Sequence, residues 1–134
     1  MPGKVFVDAN CVLELLLQRV GRNVVLKELS KYEVSCITPV TVGIVLYFAE
    51  REKLDLTLVE QLTEHFEIIP LTNQSYLQAK KFYAGQDFED ALQVASCLEA
   101  NIKTMITLDK GLAKKYAHHL KTILLTSPVH KKSA

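Results

Sequence analysis

The stretch KVFVDANCVLELLL, residues 4–17, carries the pattern on which the fold turns. Its first four residues, KVFV, form a short apolar run of the kind found in strands buried on both faces, and Asp8 ends the run with a charge. Past it, Val12, Leu13, Leu16 and Leu17 recur at helical spacing. Three further runs resemble that first strand: VSCIT from Val34, EIIPL from Glu67 and TMITL from Thr104. A fifth is KTILL from Lys121. Helical spacing returns between them, in Val24, Val25, Leu26 and Leu29 and then over residues 40–52, 56–66, 73–83, 87–100 and 110–119. Strands that alternate with helices predict a parallel sheet, because parallel neighbours need crossovers and helices are the usual ones. The expected architecture is a three-layer α/β/α sandwich in one domain over residues 1–126, followed by a polar tail, SPVHKKSA, over 127–134.

A chain of 134 residues with 49% hydrophobic and 23% charged residues is long enough and apolar enough to bury a core without disulfides or structural metal. Its 16 Lys and Arg nearly cancel 15 Asp and Glu, which argues against a purely electrostatic nucleic-acid binder and leaves room only for a local basic patch. Cys11, Cys36 and Cys97 are odd in number, far apart and set among apolar neighbours. They read as buried thiols in a reducing compartment, without the short paired spacing of a zinc site. The first residues reach Asp8 before an apolar signal segment can form, and VGIVLYFA, the longest apolar stretch, is too short to span a bilayer. A cytoplasmic protein is expected, with no membrane partner. The helix around TVGIVLYFA is apolar on more than one side, which suits either deep packing or a dimer interface.

In open α/β sheets ligands bind beyond the carboxyl ends of the strands. Asp8 follows KVFV, and Asp109 follows TMITL. A third acid, Asp90, lies in the first turn of the helix that opens with DFEDALQVAS. Asp87 and Asp90 stand three apart and resemble a capping box, which would make both structural. Yet Asp90 is followed by Ala91, Leu92, Val94 and Ala95, so it stands beside the buried side of its helix. If that helix starts at the carboxyl edge of the sheet, Asp8, Asp90 and Asp109 can converge, and three unpaired carboxylates there would repel strongly. A divalent cation relieves the repulsion. Oxygen-only ligation suits Mg²⁺ or Mn²⁺, whose chemistry with phosphate oxygens is phosphodiester hydrolysis.

With these acids in this order, the chain resembles the PIN-domain family and, in size and layout, its VapC-type toxin ribonucleases. The resemblance runs from VFVDANCVLELLL to DFEDALQVASCLEANIKTMITLDKGLA. It implies a Mg²⁺- or Mn²⁺-dependent endoribonuclease acting on RNA, dimerisation and, for a toxin, an antitoxin protein as partner. By motif, Asp8, Asp90 and Asp109 would be the catalytic, metal-holding acids, with Asn10 and Thr107 as supporting polar residues.

One position departs from the family pattern. Where a glutamate usually follows a threonine in Thr-x-x-Glu-Leu-x-Tyr, this chain reads TVGIVLY, with Ile44 in the acid's place. Glu50 does not replace it, because six residues along a helix rotate by about 600° and point it elsewhere. Glu14 and Asp87 are the candidate substitutes, although Asp87 is better read as the helix cap. Lys110 and Lys114, four apart beside Asp109, can face an RNA phosphate backbone or simply water. The competing function is a PIN-like domain whose incomplete acid set has left an RNA-binding or protein-interaction module. Glycine-rich nucleotide loops and histidine metal sets are absent from the sequence.

Overall fold

The computed structural model describes residues 3–85 and 87–126, so the polar tail expected over 127–134 lies outside the described residues. Strand β1 (Lys4–Val7) leads through Asp8 into α1 (Ala9–Leu16) and α2 (Arg22–Leu29); β2 (Val34–Ile37) is followed by α3 (Pro39–Arg51) and α4 (Leu56–Thr63). The second half contains β3 (Glu67–Ile68), α5 (Asn73–Phe82), α6 (Phe88–Glu99), β4 (Thr104–Thr107), α7 (Lys110–Lys115) and β5 (Lys121–Leu124). All five strands are parallel and lie in the order β3-β2-β1-β4-β5. The predicted α/β/α sandwich is the fold observed.

Alternation along the strands produces the three layers. Val5 and Val7 join Ile37 and Ile106 on one face, against Val12 and Leu16 of α1 and Val45 of α3. Phe6, Cys36 and Met105 face the other way, against Val94 and Cys97 of α6, Leu112 of α7 and Tyr116 just after it. Because successive side chains of a strand point to opposite faces, a four-residue strand can fill two cores. A seam of small residues, Ala79 with Ala91 and Ala95, lets α5 and α6 lie close together.

Two strands depart from the expected double burial. Glu67 and Ile68 of β3 are exposed, and β5 is only partly covered, because both are edges of the sheet. β3 is also shorter than EIIPL suggested. The Ile69 N–H still donates to the Ile37 carbonyl at 2.8 Å, but Pro70 has no N–H with which to continue the ladder. Helix α3 is not packed all round either: Thr41, Val45 and Ala49 are buried, whereas Leu46 and Tyr47 are exposed. Among the described residues, no helix is long and apolar enough to cross a membrane.

Candidate active site

Strands β1 and β4 are neighbours at the centre of the sheet, and the chain runs from β1 to one side and from β4 to the other. A crevice opens beyond the carboxyl ends of such a pair. Asp8 closes β1 on one side of it, and Asp109 stands two residues beyond β4 on the other.

Asp8 is only 6% exposed and caps α1, with Oδ1 accepting from the Ala9 N–H at 2.8 Å. Its Oδ2 accepts from the Thr107 hydroxyl at 2.7 Å. Thr107 Oγ1 accepts in turn from the Asp109 N–H at 3.0 Å and from Asn10 Nδ2 at 3.4 Å, while Asn10 Oδ1 accepts from the Leu108 N–H at 3.2 Å. Asn10 and Thr107 therefore lock the turn after β4 against the turn after β1. Burial pushes the Asp8 carboxyl up from its usual range, the Thr107 and Ala9 hydrogen bonds pull it back, and the Asp109 charge adds to the rise. Asp109 is more exposed and caps α7 through Oδ1, which accepts from the Leu112 N–H at 3.2 Å.

Asp90 arrives on α6 and differs from both. It is half-buried, and among the described residues its carboxylate accepts no hydrogen bond. Burial first, then the charges of Asp8, Asp87, Asp109 and Glu89, push its pKa up to about 6. The three predicted acids thus come from three separate elements into one another's electrostatic reach. Among the described residues, no group of three or more His, Cys, Asp or Glu side chains is clustered closely enough to hold a metal ion. Carboxylate oxygens are the donor type that a hard cation such as Mg²⁺ takes, and the set has none of the thiolate or imidazole donors of a structural zinc site.

Two expectations are corrected. Asp87 occupies the N-cap position of α6, but its backbone is left-handed, φ 56° and ψ 52°, and its side chain makes no capping hydrogen bond. An N-cap carboxylate normally reaches the N2 or N3 N–H from an extended backbone, which Asp87 does not have. Glu14 is not a spare acid for the site. It is buried, its Oε1 accepts from the Gly21 N–H at 3.1 Å, and its Oε2 lies 3.6 Å from Arg19. A side chain at Gly21 would collide with that carboxylate, so the α1–α2 turn is built around it. Ile44 is partly buried against the core in place of the usual glutamate.

A polar pair that the sequence reading passed over joins α3 to α6. The Thr41 hydroxyl donates to Gln93 Oε1 at 2.9 Å, and both residues are buried. Gln93 is three residues beyond Asp90 and so shares its side of the helix. A lone amide in the apolar run ALQVAS was the available signal.

The family model of the PIN domain matches residues 5–118. The chain belongs to the PIN domain family. No curated protein sequence matches this PIN domain significantly. Among solved structures, it is similar to a toxin-antitoxin complex from Klebsiella pneumoniae, with a TM-score of 0.71 and 17% identity over 89% of this chain and 95% of the other. It is also similar to VapBC2 from Rickettsia felis bound to a DNA fragment from their promoter, with a TM-score of 0.66 and 11% identity over 91% and 98% of the two chains. At such identities the likeness is one of fold.

Two further features complete the PIN domain's acidic end. Tyr116 is 2% exposed, and its hydroxyl has no hydrogen-bond partner among the described residues. Burial raises its pKa, and so do the charges of Asp90 and Asp87, which places the ring near the start of α6. Lys110 and Lys114 are exposed on one side of α7 and, among the described residues, form no ion pair. The three thiols are buried and unpaired, and burial pushes Cys36 up to about 11 and Cys11 and Cys97 well above the usual thiol range, so none is a ready nucleophile.

Proposed function

We propose that the chain is a metal-dependent endoribonuclease that hydrolyses RNA phosphodiesters and serves as the toxin of a toxin–antitoxin pair. Asp90 carries the reading: a half-buried carboxylate that accepts no hydrogen bond among the described residues, raised by burial first and then by the charges of Asp8, Asp87 and Asp109, is costly unless a cation offsets it. Membership of the PIN domain family supports a nuclease role in general, and the toxin–antitoxin complexes among the structural neighbours support an antitoxin partner.

Asp8, Asp90 and Asp109 would hold Mg²⁺ or Mn²⁺. When bound, such an ion supplies an activated water nucleophile and neutralises charge on the phosphate. Thr107 and Asn10 fix the orientation of Asp8, Asp87 adds negative charge at the rim, and Lys110 and Lys114 meet phosphates flanking the scissile bond. The exposed Leu46 and Tyr47 of α3 support a homodimer, and a cytoplasmic location goes with the RNA substrate.

Ile44 favours a second reading, an RNA-binding or protein-interaction module with weakened or absent catalysis, because the usual acid position is given to core packing. Incubation of single-stranded RNA with Mn²⁺ or Mg²⁺ separates the two. Cleavage by the wild type that Asp8→Asn and Asp90→Asn each abolish is expected. Equal cleavage by all three proteins would indicate a contaminating nuclease and remove the enzyme reading; binding without cleavage would leave the module.

A further inference from the structure

Helices α5 and α6 pack through an alanine seam, which sets the end of α5 beside the first turn of α6. Phe88 opens α6 two residues before Asp90, with its ring partly buried against that seam. It meets Tyr83 edge-to-face at 5.4 Å and 87°, and Tyr76 at 6.2 Å and 71°. The two tyrosines remain 45% and 46% exposed. An edge-to-face contact engages at most one face of a ring, so Tyr83 keeps a face for another partner, whereas Tyr76 also carries a lysine over its ring. Lys80 Nζ lies 5.5 Å from the Tyr76 ring centroid and puts a cation between the two tyrosines in sequence, giving Tyr76, Lys80 and Tyr83 the i, i+4, i+7 spacing of one helical stripe.

We propose that Tyr83, backed by Phe88 and continued by Tyr76, is a stacking platform for a nucleobase of single-stranded RNA beside the scissile phosphate. The proposal rests on the ribonuclease reading above. A net charge of only +1 supplies little general attraction for a phosphate backbone, and Asp87, Glu89 and Asp90 repel it locally. Beside the phosphate contacts proposed for Lys110 and Lys114, RNA at the start of α6 therefore needs a grip that is not electrostatic. Base stacking on an aromatic ring is such a grip and tolerates any base. The Lys80 ammonium offers a neighbouring phosphate its one local counter-charge on this stripe.

Anisotropy of a labelled single-stranded RNA oligonucleotide, measured on the full chain with EDTA to prevent cleavage, tests the platform. Tyr83→Ala should weaken binding by about five- to a hundredfold, Tyr83→Phe should restore it, and the loss should persist at high salt. An abasic nucleotide at the stacked position should reproduce the loss in the wild type and add nothing in Tyr83→Ala. Thermal unfolding of both variants checks that the fold is intact. Equal RNA affinity of wild type and Tyr83→Ala overturns the platform, and continued Mn²⁺-dependent cleavage would then leave the ribonuclease reading standing. Weakened binding by Tyr83→Ala with no cleavage by any protein upholds the platform and removes that reading. A wild type that binds no RNA overturns both. Unchanged RNA binding with loss of a homodimer overturns the platform and assigns these rings to a second copy of the chain.

Discussion

Asp8 and Asp90 belong to one candidate site and are held in opposite ways. Asp8 is buried at a strand end with donors on both oxygens, so the fold is built around its carboxylate. Asp90 is half-buried on a helix with no donor among the described residues, and it carries the repulsion of four other acids. The first side chain positions; the second is left uncompensated. Stability and function should therefore separate across this pair.

The largest expected effect is on Asp8. Asp8→Ala strands the Thr107 hydroxyl and the Ala9 N–H in a buried place and should cost about 2–3 kcal/mol in urea unfolding. Asp90→Asn should do the reverse at pH 7 and raise the urea midpoint while abolishing cleavage. The sign follows from linkage. Asp90 titrates at about 6 when folded, above the ~3.9 of an unfolded aspartate, so the folded state binds the proton more tightly. Wild-type stability should fall as pH rises from about 4 to about 6 and stay lower above that window, and Asp8 is shifted in the same direction. Asp90→Asn should flatten the fall. An Asp90→Asn protein less stable than wild type at pH 7 would mean that Asp90 has a partner after all. Mn²⁺ at a hundred times its Kd should raise wild-type stability by about 2.7 kcal/mol and leave Asp90→Asn nearly unmoved.

Ile44 sharpens the same contrast from the missing-acid side. It packs against the core, so Ile44→Glu should cost about 1–2 kcal/mol by unburying apolar surface. If residue 44 faces the acids as the family pattern implies, the variant should also bind Mn²⁺ more tightly in calorimetry and cleave faster. Unchanged affinity would show that the α3 position faces away from the site in this chain.

Asp8 and Asp109 were legible because a charge directly after a short apolar run is a local signal and the sheet order turns it into a location. Asp90 was legible from its apolar neighbours one turn further on. The role of Asp87 was not: composition at a helix start suggests a cap, but residue 87 takes a left-handed backbone from which its side chain does not cap the helix. Thr41 and Gln93 lie 52 residues apart, and only the folded chain brings their side chains within hydrogen-bond reach. The end of α7 was overrun for a related reason. The Leu120 N–H donates to the Tyr116 carbonyl at 3.1 Å and both side chains are buried, so apolar spacing continues four residues past the last full turn.

Tyr116 provides the finest test of the comparison, since its buried hydroxyl, like the Asp90 carboxylate, has no partner among the described residues, yet it carries no charge at neutral pH. A buried hydroxyl without a hydrogen bond has lost its water and gained nothing in return. Tyr116→Phe keeps the ring among Phe6, Val94 and Leu112 and removes only that oxygen. Stability should hold or rise by up to about 1 kcal/mol. A loss would mean that the hydroxyl donates to a group in solution, and Asp90 and Asp87 at the start of α6 are the acids whose charges, after burial, raise its pKa. Repeating the measurement in Asp90→Asn would then decide: if Tyr116→Phe no longer destabilises there, Asp90 was the acceptor, and the uncompensated half of the site has a donor held below it.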